Sequence, residues 1–235
     1  MKLFSSWSGG KECALATYKA ISQGHEVLYL LNFVSEDGER SRSHGIRARI
    51  VALQARAVGI PLVQVKTSWE DYEENYKKAV GKLRNKGIEG GVFGDTDLEE
   101  HREWVERVCS EVGIKALLPF WGTKPEELID EFLRLKFKAV VVATRLDETF
   151  LGKVLDETLI GQISKLGSHP CGENGEYHTF VTEGPIFRKA LKVTNGQSKK
   201  MDNVWFWDIS AELRQEGSQD ERERLDSSLY RDRQR

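Results

Sequence analysis

Hydrophobic positions take two forms along the first two-thirds of the chain. Short apolar runs alternate with longer stretches in which apolar residues return every three or four positions. The runs predict strands at Lys2-Leu3-Phe4, Val27–Phe33 (VLYLLNF), Pro61–Val65, Gly90–Gly94 (GGVFG) and Ala139–Ala143 (AVVVA), with another starting at Leu117-Leu118. VLYLLNF and AVVVA show little polar alternation, as expected of strands buried on both faces. The periodic stretches predict helices over Glu12–Gln23, Ile46–Val58, Trp69–Lys86, Leu98–Val112 and Glu126–Leu135. Gly24, Gly59 and Gly87 stand at helix ends, where a left-handed residue closes the last turn. Strand and helix in alternation imply an α/β fold, a doubly wound parallel sheet covered on both faces.

After about Asp147 the pattern changes. A helix is predicted over Asp156–Leu166, then a loop containing Gly and Pro, then short strands at Tyr177–Val181, Leu191–Val193 and Val204–Ile209. The chain therefore divides into an α/β domain over 1–146, a smaller C-terminal α+β lobe over 147–211 and a charged tail over 212–235. The tail is dense in charge and poor in apolar residues, which predicts a frayed helix or a disordered end.

A length of 235 residues and a hydrophobic content of 39% are enough for a sizeable core. Charged residues make up 31% but nearly cancel, to a net charge of −2, so no strong electrostatic footprint for nucleic acid is present. The start MKLFSSW lacks the apolar run of a signal peptide, and no stretch approaches a membrane span. A cytoplasmic protein without a membrane partner is expected. Cys13, Cys109 and Cys171 lie far apart without a CxxC, which argues against a disulfide framework or a structural zinc.

Candidate chemistry begins where the first predicted strand meets the first helix. Ser8-Gly9-Gly10-Lys11 is a tight glycine turn at a helix N-terminus. Free backbone N–H groups and the helix dipole make such a turn an anion site. Gly9 and Gly10 let the backbone approach a phosphate, Ser8 offers a hydroxyl, and Lys11 an ammonium. The spacing is not that of a Walker A loop. In a doubly wound sheet the other carboxyl strand ends should surround the same ligand. Phe33 either lies against an adenine or ends the core of its strand, and His44 sits on the loop that follows. Gly94 ends a strand where a nucleotide would approach closely, and Asp97 or Thr96 would cap the next helix. Arg102 and Glu106 share a helix face, either as a surface ion pair or with Arg102 on a phosphate or carboxylate. The loop from His169 to Val181 packs glycines, Glu173, Asn174 and Glu176 into a stretch that cannot form a core.

SGGKE resembles the SGGKD loop of the N-type ATP pyrophosphatases, and GENGEYHTF resembles the GEGGEYET sequence that accompanies it in the diphthine–ammonia ligase family. The stretches LQARAVGIPL (53–62), PFWG (119–122) and LDETFLGK (146–153) resemble further family segments in order and spacing. The resemblance runs from about Lys2 to Phe187. It implies an adenine nucleotide alpha hydrolase-like fold, with ATP and Mg²⁺ as cofactors. It also implies an activity that adenylates the carboxylate of diphthine on elongation factor 2, transfers ammonia, and releases AMP and pyrophosphate. Ser8, Gly9, Gly10, Lys11, Glu12, Cys13, Phe33, His44, Gly94 and Arg102 would bind the nucleotide, with Glu12 toward Mg²⁺. Lys11, Glu173, Asn174 and Glu176 would be catalytic, with one carboxylate accepting a proton from ammonium. A homodimer is implied by resemblance only.

Departures keep other readings open. Glu12 and Cys13 replace aspartate and serine, Ser41-Arg42-Ser43-His44 replaces a tyrosine-bearing SYMYH-like stretch, Glu100-His101 precedes Arg102 where tyrosine and glutamine are usual, and His178 replaces a glutamate. An ATP pyrophosphatase acting on another substrate, as in tRNA thiolation through Cys13 and Cys171, is one alternative. An adenine-nucleotide-binding protein without turnover is another.

Overall fold

The computed structural model describes residues 1–215. Its first half alternates β1 (Lys2–Ser6), α1 (Lys11–Ser22), β2 (Glu26–Val34), α2 (Ala48–Val58), β3 (Leu62–Lys66), α3 (Tyr72–Arg84), β4 (Gly90–Val92), α4 (Glu99–Val112) and β5 (Lys115–Leu117). These strands form a parallel sheet in the order β3-β2-β1-β4-β5. The period of two along each strand sorts side chains to opposite faces. Leu3 and Leu30 join α1 and α2 in one core, while Phe4 and Leu31 join α3 and α4 in the other. This is the doubly wound sheet that the sequence predicts. Strand order reverses between β1 and β4, so their carboxyl ends flank the crevice where such folds bind ligands.

The second half comprises α5 (Pro125–Arg134), β6 (Lys138–Thr144), α6 (Glu157–Lys165), β7 (Tyr177–Glu183), β8 (Leu191–Met201) and β9 (Val204–Leu213). Its strands form an antiparallel sheet in the order β7-β6-β9-β8. Val141, Phe180 and Ile209 of this sheet share a core with Ala14 and Leu15 of α1 and Val51 of α2. The small sheet is thereby packed on the α1–α2 layer, beside the first turn of α1.

Some expectations are corrected. The run Ala139–Ala143 belongs to the antiparallel sheet, not the parallel one. An unbroken apolar run reports burial on both faces and is silent on the direction of pairing. β8 and β9 extend well past the predicted Leu191–Val193 and Val204–Ile209, because their added residues are largely exposed or half-buried and polar. Glu212 and Leu213, assigned to the tail, lie in β9; residues 216–235 of that tail fall outside the described residues. α3 starts at Tyr72 rather than Trp69, and Ser68 Oγ accepts from the Asp71 N–H at 2.9 Å just before it. Among the described residues no helix is long and apolar enough to cross a membrane.

Candidate active site

The turn between β1 and α1 is held from below by a buried glutamine. Gln54, on α2, donates from Nε2 to the Gly9 carbonyl at 3.0 Å and to the Val181 carbonyl at 2.7 Å. Its Oε1 accepts from Trp7 Nε1 at 2.8 Å. The Val181 N–H also donates to the Gly9 carbonyl, at 2.9 Å. The turn is thus stitched to β7 of the second sheet. Gly9 has φ +90°, a conformation that favours glycine. A Cβ on Gly10 would stand 2.4 Å from His44 Cε1, so the backbone there touches an imidazole edge. The loop amides are less free than the sequence suggests. Gly10 N–H donates to Ser8 Oγ at 3.3 Å, and Lys11 N–H donates to Thr179 Oγ1 at 3.1 Å.

Lys11 opens α1 with its side chain buried. Its Nζ donates to the Cys171 carbonyl at 2.6 Å, lies 2.5 Å from Glu12 Oε1, and sits 4.5 Å from the centre of the Tyr177 ring. Burial opposes the charge, but Glu12, Tyr177 and Cys171 outweigh it and hold the ammonium protonated well above the usual lysine range. Cys13 is buried, with Sγ 3.2 Å from the Gly10 carbonyl and 3.4 Å from Ser8 Oγ.

A cleft of about 270 Å³ opens at the switch point. Of the residues predicted for the site, Ser8, Lys11, Glu12, Cys13, His44, Gly94 and Glu173 line it. Gly9 and Gly10 form the turn between Ser8 and Lys11. Gly94 approaches the backbone of Glu12 so closely that a Cβ would meet its carbonyl carbon at 2.8 Å. His44 stacks on His178 at 4.6 Å between ring centres, and its Nδ1 lies 3.2 Å from the Thr179 carbonyl. Burial, each other's proximity and Lys11 lower the pKa of His44; burial, Lys11 and Arg145 bring His178 to about 4. Both rings are neutral at physiological pH.

Glu173 is driven the other way. Burial first, then the charges of Glu12, Asp95 and Asp97, raise its pKa to about 8 against the pull of Lys11. Asp97 accepts from His169 Nε2 at 3.0 Å, and His169 Nδ1 accepts from the Cys171 N–H at 3.1 Å. That bond pattern fixes the tautomer and ties the β4–α4 loop to the segment that receives Lys11.

Other predicted residues lie elsewhere. Phe33 is core, stacked on Tyr76 at 5.3 Å, and its carbonyl accepts from the Arg42 N–H. Arg102 pairs with Glu106 at 2.9 Å and sits 5.0 Å from the Trp121 ring, away from the cleft lining. Asn174 is exposed and donates to Glu176 Oε1 at 3.2 Å, and the same oxygen accepts from the His169 N–H at 3.0 Å. Among the described residues no group of three or more His, Cys, Asp or Glu is arranged to hold a metal ion. Gln54, Asp95, His101 and Thr179 were given no site role from sequence. The signal for Gln54 was a polar residue on the apolar face of its helix.

The description "Diphthamide synthase N-terminal domain" matches residues 1–116, and "Diphthamide synthase C-terminal domain" matches residues 124–214. The chain belongs to the diphthamide synthase family. Its similarity to curated relatives is spread over most of its length. A diphthine–ammonia ligase of Schizosaccharomyces pombe is 29% identical over 83% of this chain, which spans 36% of that relative. A diphthine–ammonia ligase of Rattus norvegicus is 26% identical over 84% of this chain and 85% of its own length. These relatives are named as ligases that join ammonia, so the diphthamide synthase family is one of C–N bond-forming enzymes. A solved structure described as a predicted subunit of a tRNA methyltransferase from Methanocaldococcus jannaschii covers 79% of this chain and 98% of its own, at 12% identity and a TM-score of 0.45. At that distance it adds nothing to the fold described above.

Proposed function

We propose that this protein is an ATP-dependent amide ligase that adenylates the carboxylate of diphthine on elongation factor 2 and transfers ammonia to it, releasing AMP and pyrophosphate. The observation that carries the reading is the bond from Lys11 Nζ to the Cys171 carbonyl. It joins the glycine turn to the residue just before GENGEYHTF, and those two segments carry the most specific resemblance. The curated relatives, named for this reaction, support it.

A carboxylate is a poor electrophile and must first be activated. Lys11 lies in the first turn of α1, where the helix dipole and a fixed cation favour a departing pyrophosphate. Mg²⁺ bound with ATP would neutralise phosphate charge, and Glu12, the carboxylate of the turn, would hold it. Glu173, neutral below about pH 8, would offer a hydrogen bond to a ligand in the cleft, and Asn174 and Glu176 hold the loop that presents it. Ser43, His44 and His178 form a wall without net charge.

The tRNA-thiolation alternative needs a thiolate. Burial raises the pKa of both Cys13 and Cys171, which disfavours that form. The test is chromatography of products from Mg-ATP and ammonium, with and without elongation factor 2 carrying diphthine. AMP and pyrophosphate that appear only with the partner, together with conversion of diphthine to its amide, are expected. AMP formed independently of the partner would move the substrate elsewhere, ADP would overturn the pyrophosphatase chemistry, and no turnover would leave a nucleotide-binding role.

A further inference from the structure

Ammonium is the form of ammonia present in water near neutrality, and it has no lone pair. An enzyme that uses it must remove a proton inside the site. The carboxylates of the GENGEYHTF loop are poorly placed to do it. Glu173 holds its own proton up to about pH 8, and Glu176, whose Oε1 accepts from the His169 N–H and Asn174, is not among the residues that line the cleft. The cleft contains one further pair suited to the role. His101, in the first turn of α4, and Asp95, in the loop after β4, both line it together with Glu12 and Glu173. His101 Nδ1 lies 3.3 Å from Asp95 Oδ1. A carboxylate at Nδ1 favours the tautomer with hydrogen on that nitrogen and leaves Nε2 with its lone pair.

We propose that His101, oriented by Asp95, is the catalytic base that takes a proton from ammonium before the nitrogen attacks the acyl-adenylate. The inference rests on the amide-ligase reading above. Ammonium gives one proton to His101 Nε2. The freed lone pair forms the C–N bond, and the acyl C–O bond to AMP breaks with its electron pair leaving on AMP. The second proton passes from the nitrogen to solvent water as the adduct collapses, and His101 later returns its proton to solvent. Asp95 stabilises the imidazolium through Nδ1. Asp95 contributes most to raising the His101 pKa, and Glu100 on the same helix adds negative charge near it. A raised pKa makes the imidazole a stronger proton acceptor.

The experiment compares wild type with His101→Gln, a change at an exposed position that spares the core. Three readouts are taken with elongation factor 2 carrying diphthine. Pyrophosphate exchange into ATP without ammonia reports adenylation alone. Hydroxamate formation uses hydroxylamine, a nucleophile that is largely unprotonated at neutral pH. Amide formation from ammonium is followed from pH 6 to pH 9 on the order of a general-base range. The expected result is a loss of about 100-fold or more in the ammonium reaction at neutral pH, recovering as pH rises and free ammonia increases. Exchange and hydroxamate formation should fall far less. Equal losses with both nucleophiles, or no loss with ammonium, would overturn the assignment. If wild type itself shows no diphthine-dependent exchange, the ligase reading fails and this inference goes with it. An active wild type with an unaffected variant removes the inference alone.

Discussion

Lys11 Nζ donates to the Cys171 carbonyl at 2.6 Å, across 160 residues of chain. The bond makes a buried cation the link between the parallel sheet and the loop before β7. Glu12 and the Tyr177 ring complete its surroundings. Replacing it by Lys11→Met keeps much of the volume and removes the charge. AMP formation should fall by about 100-fold or more, the loss typical when one preorganised charge-stabilising donor is deleted. The carbonyl left without its donor should also lower stability, by about 1–3 kcal/mol. Product chromatography beside a thermal melt separates these effects. Near-normal AMP formation in a folded variant would remove Lys11 from the chemistry.

Gly10 faces His44 so closely that Gly10→Ala forces a collision with Cε1. The ring has little freedom to retreat, because it stacks on His178 and contacts the Thr179 carbonyl. The single variant should lose ATP affinity at least severalfold. Shortening the ring in the double variant Gly10→Ala/His44→Ala should recover part of that loss, since it removes the atom being struck. Nucleotide titration of both variants checks it, and additive losses would show that the contact is not the cause.

Gln54 satisfies Trp7, Gly9 and Val181 from a fully buried position. Gln54→Leu fills similar space but leaves the Trp7 indole N–H without its acceptor and takes a donor from the Val181 carbonyl, while the Gly9 carbonyl keeps the Val181 N–H. Each buried unsatisfied group costs about 1–3 kcal/mol, so a clear fall in unfolding midpoint is expected. ATP binding should weaken in parallel, because the same bonds shape the glycine turn. A variant as stable as wild type would mean that water replaces the amide.

The parallel sheet was legible because Leu3, Leu30, Leu31 and Phe33 occupy short apolar runs separated by periodic helices. The glycine turn was legible because Ser8–Lys11 makes a local anion site from consecutive residues. What sequence could not give was direction and distance. AVVVA reads equally as a parallel or an antiparallel buried strand, and only its pairing with β7 and β9 decides. Phe33 could face a nucleotide or the core with the same neighbours in sequence, and Tyr76 takes its ring face. Arg102 follows a cleft residue, His101, by one position, yet a helix turns about 100° per residue and carries it to Glu106 and Trp121. Gln54 acts on residues 45 and more positions away, beyond any local pattern.

The stacked imidazoles of His44 and His178 should make the fold acid-sensitive. His178 titrates near 4 in the folded protein, below its ordinary value of 6.5, so the unfolded chain binds its proton more tightly. Its contribution is therefore present above pH 6.5 and lost as pH falls toward 4. A shift of this size corresponds to roughly 3 kcal/mol once that range is crossed. His44 is displaced in the same direction and adds to the effect. The unfolding midpoint of wild type should drop steeply over this window, and His178→Gln should flatten the slope. An unchanged slope would locate the acid sensitivity in other groups.

Glu173 carries the opposite sign. Its folded pKa of about 8 exceeds its ordinary 4.5, so the folded protein keeps a proton that the unfolded chain releases. Stability from this group is full below pH 4.5 and declines as pH rises through 8. Glu173→Gln imitates the neutral acid permanently. The variant should match wild type in midpoint near pH 4.5 and exceed it increasingly up to pH 8, where burial beside Glu12, Asp95 and Asp97 makes the ionised form costly. The same substitution tests the chemistry. A neutral donor at this place predicts that Glu173→Gln retains most amide formation near pH 7 and escapes the decline expected of wild type above 8. Complete inactivity at every pH, in a variant more stable than wild type, would mean that the ionised carboxylate is the working form despite the charges around it.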